Sequence, residues 1–154
     1  MLLVFIALIS FNATFAFNNQ LGNITIDDPW VRSAPPNAPI LGAFMEISNH
    51  SDDDIKLLSA NTNGYKRLEL HKTVPQDGMM KMIKQDFMLI PAHSKLTLKP
   101  GSWHIMMIKP KEVPREGDSV AIKLVFDNGL SKTIYAKVRK EGVMDHKRMI
   151  HRQH

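Results

Sequence analysis
Between Asn23 and Arg139 the chain runs as short apolar-rich stretches cut by strong turn signals, and no segment keeps a helical spacing of apolar residues over three turns. Nine stretches read as strands: 24–27, 42–48, 55–60, 67–72, 79–84, 95–98, 104–108, 120–126 and 133–138. The punctuation between them is Ala34-Pro35-Pro36-Asn37-Ala38-Pro39, Asn63-Gly64, Asp77-Gly78, Lys99-Pro100-Gly101 and Asp127-Asn128-Gly129. Many short strands at such spacings predict an all-β, antiparallel Greek-key β-sandwich in a single domain. No internal repeat interrupts it.

The two ends depart from this pattern. Residues 1–16 carry no charge and are mostly apolar, too short a run for a membrane-spanning helix. Thr14-Phe15-Ala16 places small residues where a signal peptidase cuts, so 1–16 is expected to be a secretory signal, although no Lys or Arg precedes it. The β-domain then covers 17–140. Residues 141–154 hold Met144, His146, Met149, His151 and His154 among basic residues and are expected to be a flexible tail.

Composition sharpens the chemistry. The 154 residues are 44% apolar and 23% charged, enough to bury a core, with a formal charge of +5. Lys and Arg are scattered among Asp and Glu with no basic block interleaved with aromatics, which argues against nucleic acid as a partner. There are ten Met and seven His but no Cys. An exported domain of this size can do without disulfides.

Four of those His and Met residues stand in the order His71, Met82, His104, Met106. Two imidazoles and two thioethers are a soft donor set that favours Cu(I), and neither donor oxidises to a disulfide outside the cytoplasm. His104 and Met106, two apart on a strand, point to one face. A hairpin pivoting between Gln76 and Asp77 would set His71 directly opposite Met82, giving two His–Met pairs expected to meet near the rim of the sandwich. Met79, Met80, Met88 and Met107 are expected to fill the core. His50 and His93 fall in loops and are expected at the surface.

The same residues carry a resemblance to the periplasmic PCu(A)C-type copper chaperones. Asp28-Pro29-Trp30-Val31-Arg32 and Gly42-Ala43-Phe44-Met45-Glu46-Ile47-Ser48-Asn49 resemble that family's first two strands. Glu69-Leu70-His71, Met80-Lys81-Met82 and the run from Lys99 to Met107 resemble its ligand-bearing segments. The resemblance covers about 27–139. It implies a cupredoxin-like sandwich and a Cu(I) carrier with His71, Met82, His104 and Met106 as ligands. It further implies delivery to a copper-accepting cytochrome c oxidase subunit or a thioredoxin-like assembly factor. The tail resembles His/Met-rich extensions of some relatives, which makes it a candidate for Cu(II). A monomer in the periplasm with no stable membrane span is expected. The family often has Met after its first His; here that place is Lys72, which alternation turns to the opposite face.

Other functions are less well supplied. A blue-copper electron carrier needs a Cys thiolate. A catalytic zinc site needs three His or carboxylate ligands at suitable spacing. No G-x-S-x-G sequence or obvious carboxylate dyad is present, so an enzyme is not expected. General periplasmic copper storage or tolerance, and a metal-free adhesion or assembly sandwich, remain as alternatives; the last requires the four His and Met residues to lie apart.

Overall fold
The computed structural model describes residues 23–141; the expected signal and the His/Met-rich tail beyond Glu141 lie outside them. Ten strands and no helix make up the described chain: β1 (Ile24–Arg32), β2 (Ile40–Asn49), β3 (Ile55–Asn61), β4 (Tyr65–Gln76), β5 (Met79–Lys84), β6 (Met88–Ile90), β7 (Lys95–Leu98), β8 (Trp103–Pro110), β9 (Ser119–Phe126) and β10 (Ser131–Arg139). The added strand is β6. Three residues are too few to reveal an alternation, yet Met88 and Ile90 are buried and Leu89 is exposed, as a strand at a core edge requires.

The strands form one continuous hydrogen-bonded sheet in the order β5-β4-β8-β7-β2-β1-β10-β9-β3-β6, with β8 also paired to β2. It curls into a cupredoxin-like sandwich, and core residues come from both halves: Ala43, Ile47, Ile105 and Met107 from one, Leu57, Ile122, Leu124 and Phe126 from the other. The sheet is mixed rather than purely antiparallel. β1 runs parallel to β10, with Trp30, Val31 and Arg32 opposite Lys137, Val138 and Arg139, and β7 runs parallel to β8. These are pairings between strands distant in sequence or joined by a crossing turn, so no local turn signal announces their direction.

Two local features place the functional face. Register is lost between Asp27 and Trp30 of β1, where Asp28 adopts φ 46° and Pro29 has no N–H for the ladder. Arg139 clamps this bulge with two bonds to the Asp28 carboxylate, 2.8 and 2.7 Å, and lies 4.8 Å over the Trp30 ring. The second feature is the β4–β5 hairpin. Asp77 and Gly78 both have positive φ, 53° and 74°, as a two-residue type I′ turn demands. The ladder therefore pivots between Asp77 and Gly78, one residue beyond the expected place. His71 pairs with Lys84, and Met82 pairs with Thr73 rather than with His71. The slip changes pair partners by two positions, so Met82 keeps its face.

Met88 and Met107 are fully buried as expected. Met79 and Met80 are not core: they are 63% and 62% exposed, because β5 is an edge strand paired only with β4.

Candidate metal centre
β4 and β8 lie side by side, and their ladder sets His71 directly opposite His104 and Glu69 opposite Met106. Leu70 and Ile105, the intervening residues, belong to the core, so both imidazoles point to the other face of the sheet. The rings sit 5.7 Å apart, centroid to centroid. Convergence thus arises within one sheet face rather than from two elements meeting at the rim. Met106 follows His104 on that face, and Met82 reaches it as a diagonal neighbour of His71 from β5. All four expected ligands are brought together on one surface.

That surface is partly closed, with His71 and His104 only 7% and 5% exposed. An aromatic wall stands beside them: Trp30 packs on Phe44 at 4.6 Å, and Phe44 lies 6.5 Å from the His104 ring. Gly42 makes room for it, since a Cβ there would come within 2.8 Å of the Phe44 ring. A pocket of about 210 Å³ opens against His104, Met106, Met82 and Thr73, with Arg32 also in its wall.

Each imidazole is held by one nitrogen and leaves the other empty. His104 Nδ1 donates to the Ser102 carbonyl at 3.0 Å, and His71 Nε2 donates to the Glu69 carboxylate at 2.8 Å. The remaining nitrogens, His104 Nε2 and His71 Nδ1, are buried without a hydrogen-bond partner. Leaving a buried polar atom unsatisfied costs about 1–3 kcal/mol, so two on paired residues call for an explanation. A metal ion bound there would supply it. Ligating histidines commonly donate their second N–H to a carboxylate or backbone carbonyl, which fixes the tautomer and aims the lone pair. Among the described residues no three His, Cys, Asp or Glu side chains group as a metal cluster. The donors available to complete the site are therefore the thioethers of Met82 and Met106, the donor set that suits Cu(I).

The electrostatics keep the site ready. Hydrogen bonds from Arg67, at 2.6 Å, and from His71 hold the Glu69 carboxyl down at about 2. Burial pushes the His104 imidazole below its usual value, with the charge of Arg32 and the neighbouring His71 ring adding to this and the Ser102 carbonyl opposing it. His104 therefore keeps its lone pair further into acid than a free histidine does. Both shifts carry the same sign for stability. An unfolded chain binds more protons than the native one, first at His104 below about pH 6.5 and then at Glu69 between about 4.5 and 2. The apo-protein is expected to melt at progressively lower temperature from about pH 7.5 to about pH 4 in thermal unfolding followed by circular dichroism. A melting temperature that rises on acidification would contradict these assignments.

Glu69, the Ser102 carbonyl, Phe44 and Thr73 were not anticipated. Glu69 alone was signalled, as an acid two residues before His71 and so on its face. Lys72 does turn away as expected and lies 4.9 Å over the Trp103 ring. His50 and His93 are exposed.

The LpqE-like family model matches residues 24–138. An uncharacterised protein of Rickettsia prowazekii is 28% identical over 120 residues, 73% of this chain, which spans 65% of that protein's length. The Cu(I) solution structure of DR1885 from Deinococcus radiodurans is 29% identical with a TM-score of 0.65, covering 84% of this chain and 87% of that one. The copper-bound PCuAC domain of PmoF2 gives a TM-score of 0.67 at 22% identity, over 77% of this chain and 94% of the other.

Proposed function
The chain belongs to the LpqE-like family, shares its architecture with PCuAC-type copper chaperone domains, and on that premise we propose that it carries one cuprous ion on His71, Met82, His104 and Met106. The observation that carries this reading is the pair of buried, partnerless imidazole nitrogens on register-matched residues. A surface histidine pair is open to water at both nitrogens; this pair is buried, with one nitrogen of each ring bonded to Glu69 or to the Ser102 carbonyl, and it shares its face with two thioethers.

Carriage rather than permanent retention follows from the split character of the donors. The imidazoles are enclosed, whereas Met82 is 60% exposed on an edge strand. A recipient's ligand can displace that thioether first, while the imidazoles still hold the ion. Thioethers are neutral at every accessible pH, so exchange needs no proton. Delivery to the copper centre of a cytochrome c oxidase, directly or through a thioredoxin-like factor, is the destination we assign. The periplasm is the compartment, in keeping with a family described by likeness to a lipoprotein. No helix among the described residues is long and apolar enough to cross a membrane. Copper-domain relatives support binding rather than catalysis. The tail from Met144 to His154 is a candidate for Cu(II), and a monomer is the working form.

Titration with Cu(I) against a colorimetric cuprous chelator tests the reading. One equivalent is expected, with X-ray absorption reporting two nitrogen and two sulfur donors. Met106→Ala should weaken binding by at least about tenfold, or about 1.4 kcal/mol, through loss of one donor. Cuprous affinity unchanged in Met106→Ala, or absent from the wild type, overturns the assignment.

A further inference from the structure
Met80 is not one of the four donors, yet it shares their face. Along β5 alternate residues point the same way, so Met80, Met82 and Lys84 line the side that bears His71, while Met79, Lys81 and Ile83 face away. Met80 pairs with Pro75 and sits one step nearer the hairpin tip than Met82, which pairs with Thr73. Both thioethers are about equally open to solvent, 62% and 60%. β5 ends the sheet, with no strand beyond it among the described residues.

The imidazoles are buried while Met80 and Met82 stand exposed on the edge strand, so one approach to the site runs along the β5 side chains, beside the pocket that opens against His104 and Met106. The two directions along that strand differ in charge. On one side of Met82 stands Lys84, an ammonium 3.9 Å from Glu69, which repels a cation. On the other side stands Met80, a neutral soft donor. Met80 lies opposite Pro75, four residues along β4 from His71 and so roughly 13 Å away along the strand, too far to join the imidazoles on one ion, but it is only two residues, roughly 6.8 Å, from Met82, close enough for flexible thioether arms to pass the ion on.

We propose that Met80 is a transit site for Cu(I), a thioether that takes the ion at the hairpin tip and hands it to Met82 on the way in, and receives it from Met82 on the way out. The step is a ligand exchange: a Cu–S bond forms at one thioether as another breaks, and the copper stays cuprous with no proton or electron moved. It rests on the copper-carrier reading above and adds a kinetic site outside the four ligands. A transit site lies on the path without contributing to the loaded state, so it alters loading and unloading equally.

The experiment is stopped-flow transfer of Cu(I) between the full chain and a cuprous chelator, in both directions, for wild type, Met80→Leu and Met79→Leu. Leu keeps the volume and removes the sulfur. Met80→Leu should slow both directions by about tenfold with the equilibrium affinity unchanged, and Met79→Leu, on the opposite face, should match the wild type. Equal rates for the two variants overturn the proposal. Loss of affinity in Met80→Leu also overturns it, by making Met80 a ligand of the loaded site. A wild type that takes up no Cu(I) overturns the carrier reading itself, and the two failures are thereby distinct.

Discussion

His104→Leu is expected to reduce Cu(I) affinity by at least about 100-fold, or about 2.8 kcal/mol, while leaving the apo-protein no less stable than the wild type. The loss follows from removing one of two imidazole donors whose lone pairs are already aimed. The retained stability is the more diagnostic half. His104 Nε2 is a buried atom without a partner, a burden of about 1–3 kcal/mol on the metal-free fold. Leucine removes that burden and fills a site walled by Phe44 and Met106. The substitution also deletes the Nδ1 bond to the Ser102 carbonyl, but that oxygen still accepts the Thr73 N–H at 3.1 Å, so no new orphan is made. A histidine kept for packing would behave in the opposite way, with destabilisation and no change in copper affinity. Chelator competition and thermal unfolding on the same preparation separate the two cases. The trade of apo stability for a prepared site is the usual cost of function in a marginally stable fold.

Glu69→Ala is expected to weaken Cu(I) binding by about 10–100-fold although the side chain touches no metal. The Glu69 carboxylate accepts the His71 Nε2 proton and so keeps the Nδ1 lone pair free for the ion. Without it the neutral ring can place its proton on Nδ1, which blocks coordination. Arg67 and Lys84 lose their shared counter-charge at the same time, leaving more positive potential beside the cation site. Glu69→Gln should fall between alanine and wild type, since its amide oxygen can still accept the N–H. Nitrogen-15 NMR of the imidazoles gives the direct readout: the Nδ1–H tautomer of His71 should gain population in the alanine variant. Glu69→Ala should also lose the acid-range stability change between about pH 4.5 and 2 that its depressed carboxyl produces. Unaltered copper affinity with an unaltered tautomer would remove Glu69 from the site.

The position of Met82 shows how a partly wrong register can still give a correct site. The expected pivot between Gln76 and Asp77 set Met82 against His71, whereas the type I′ turn on Asp77 and Gly78 sets it against Thr73. Because side chains alternate with a period of two, a shift of two in the pairing sum leaves Met82 on the ligand face.

Local chemistry was enough to mark nine of the ten strands, the Asp77-Gly78 turn signal though not its pivot, the shared face of His104 and Met106, and the soft character of the donor set. Each depends on residues within a few positions of one another, where steric alternation and turn dihedrals act directly. The pairing of His71 with His104, the burial of both rings, the two empty nitrogens and the Trp30–Phe44 wall were decided only by the folded sheet. They depend on which strand lies beside which, including the parallel β1–β10 contact and the adjacency of β4 and β8. That choice is made by packing one common core from strands far apart in the chain, and no single segment encodes it.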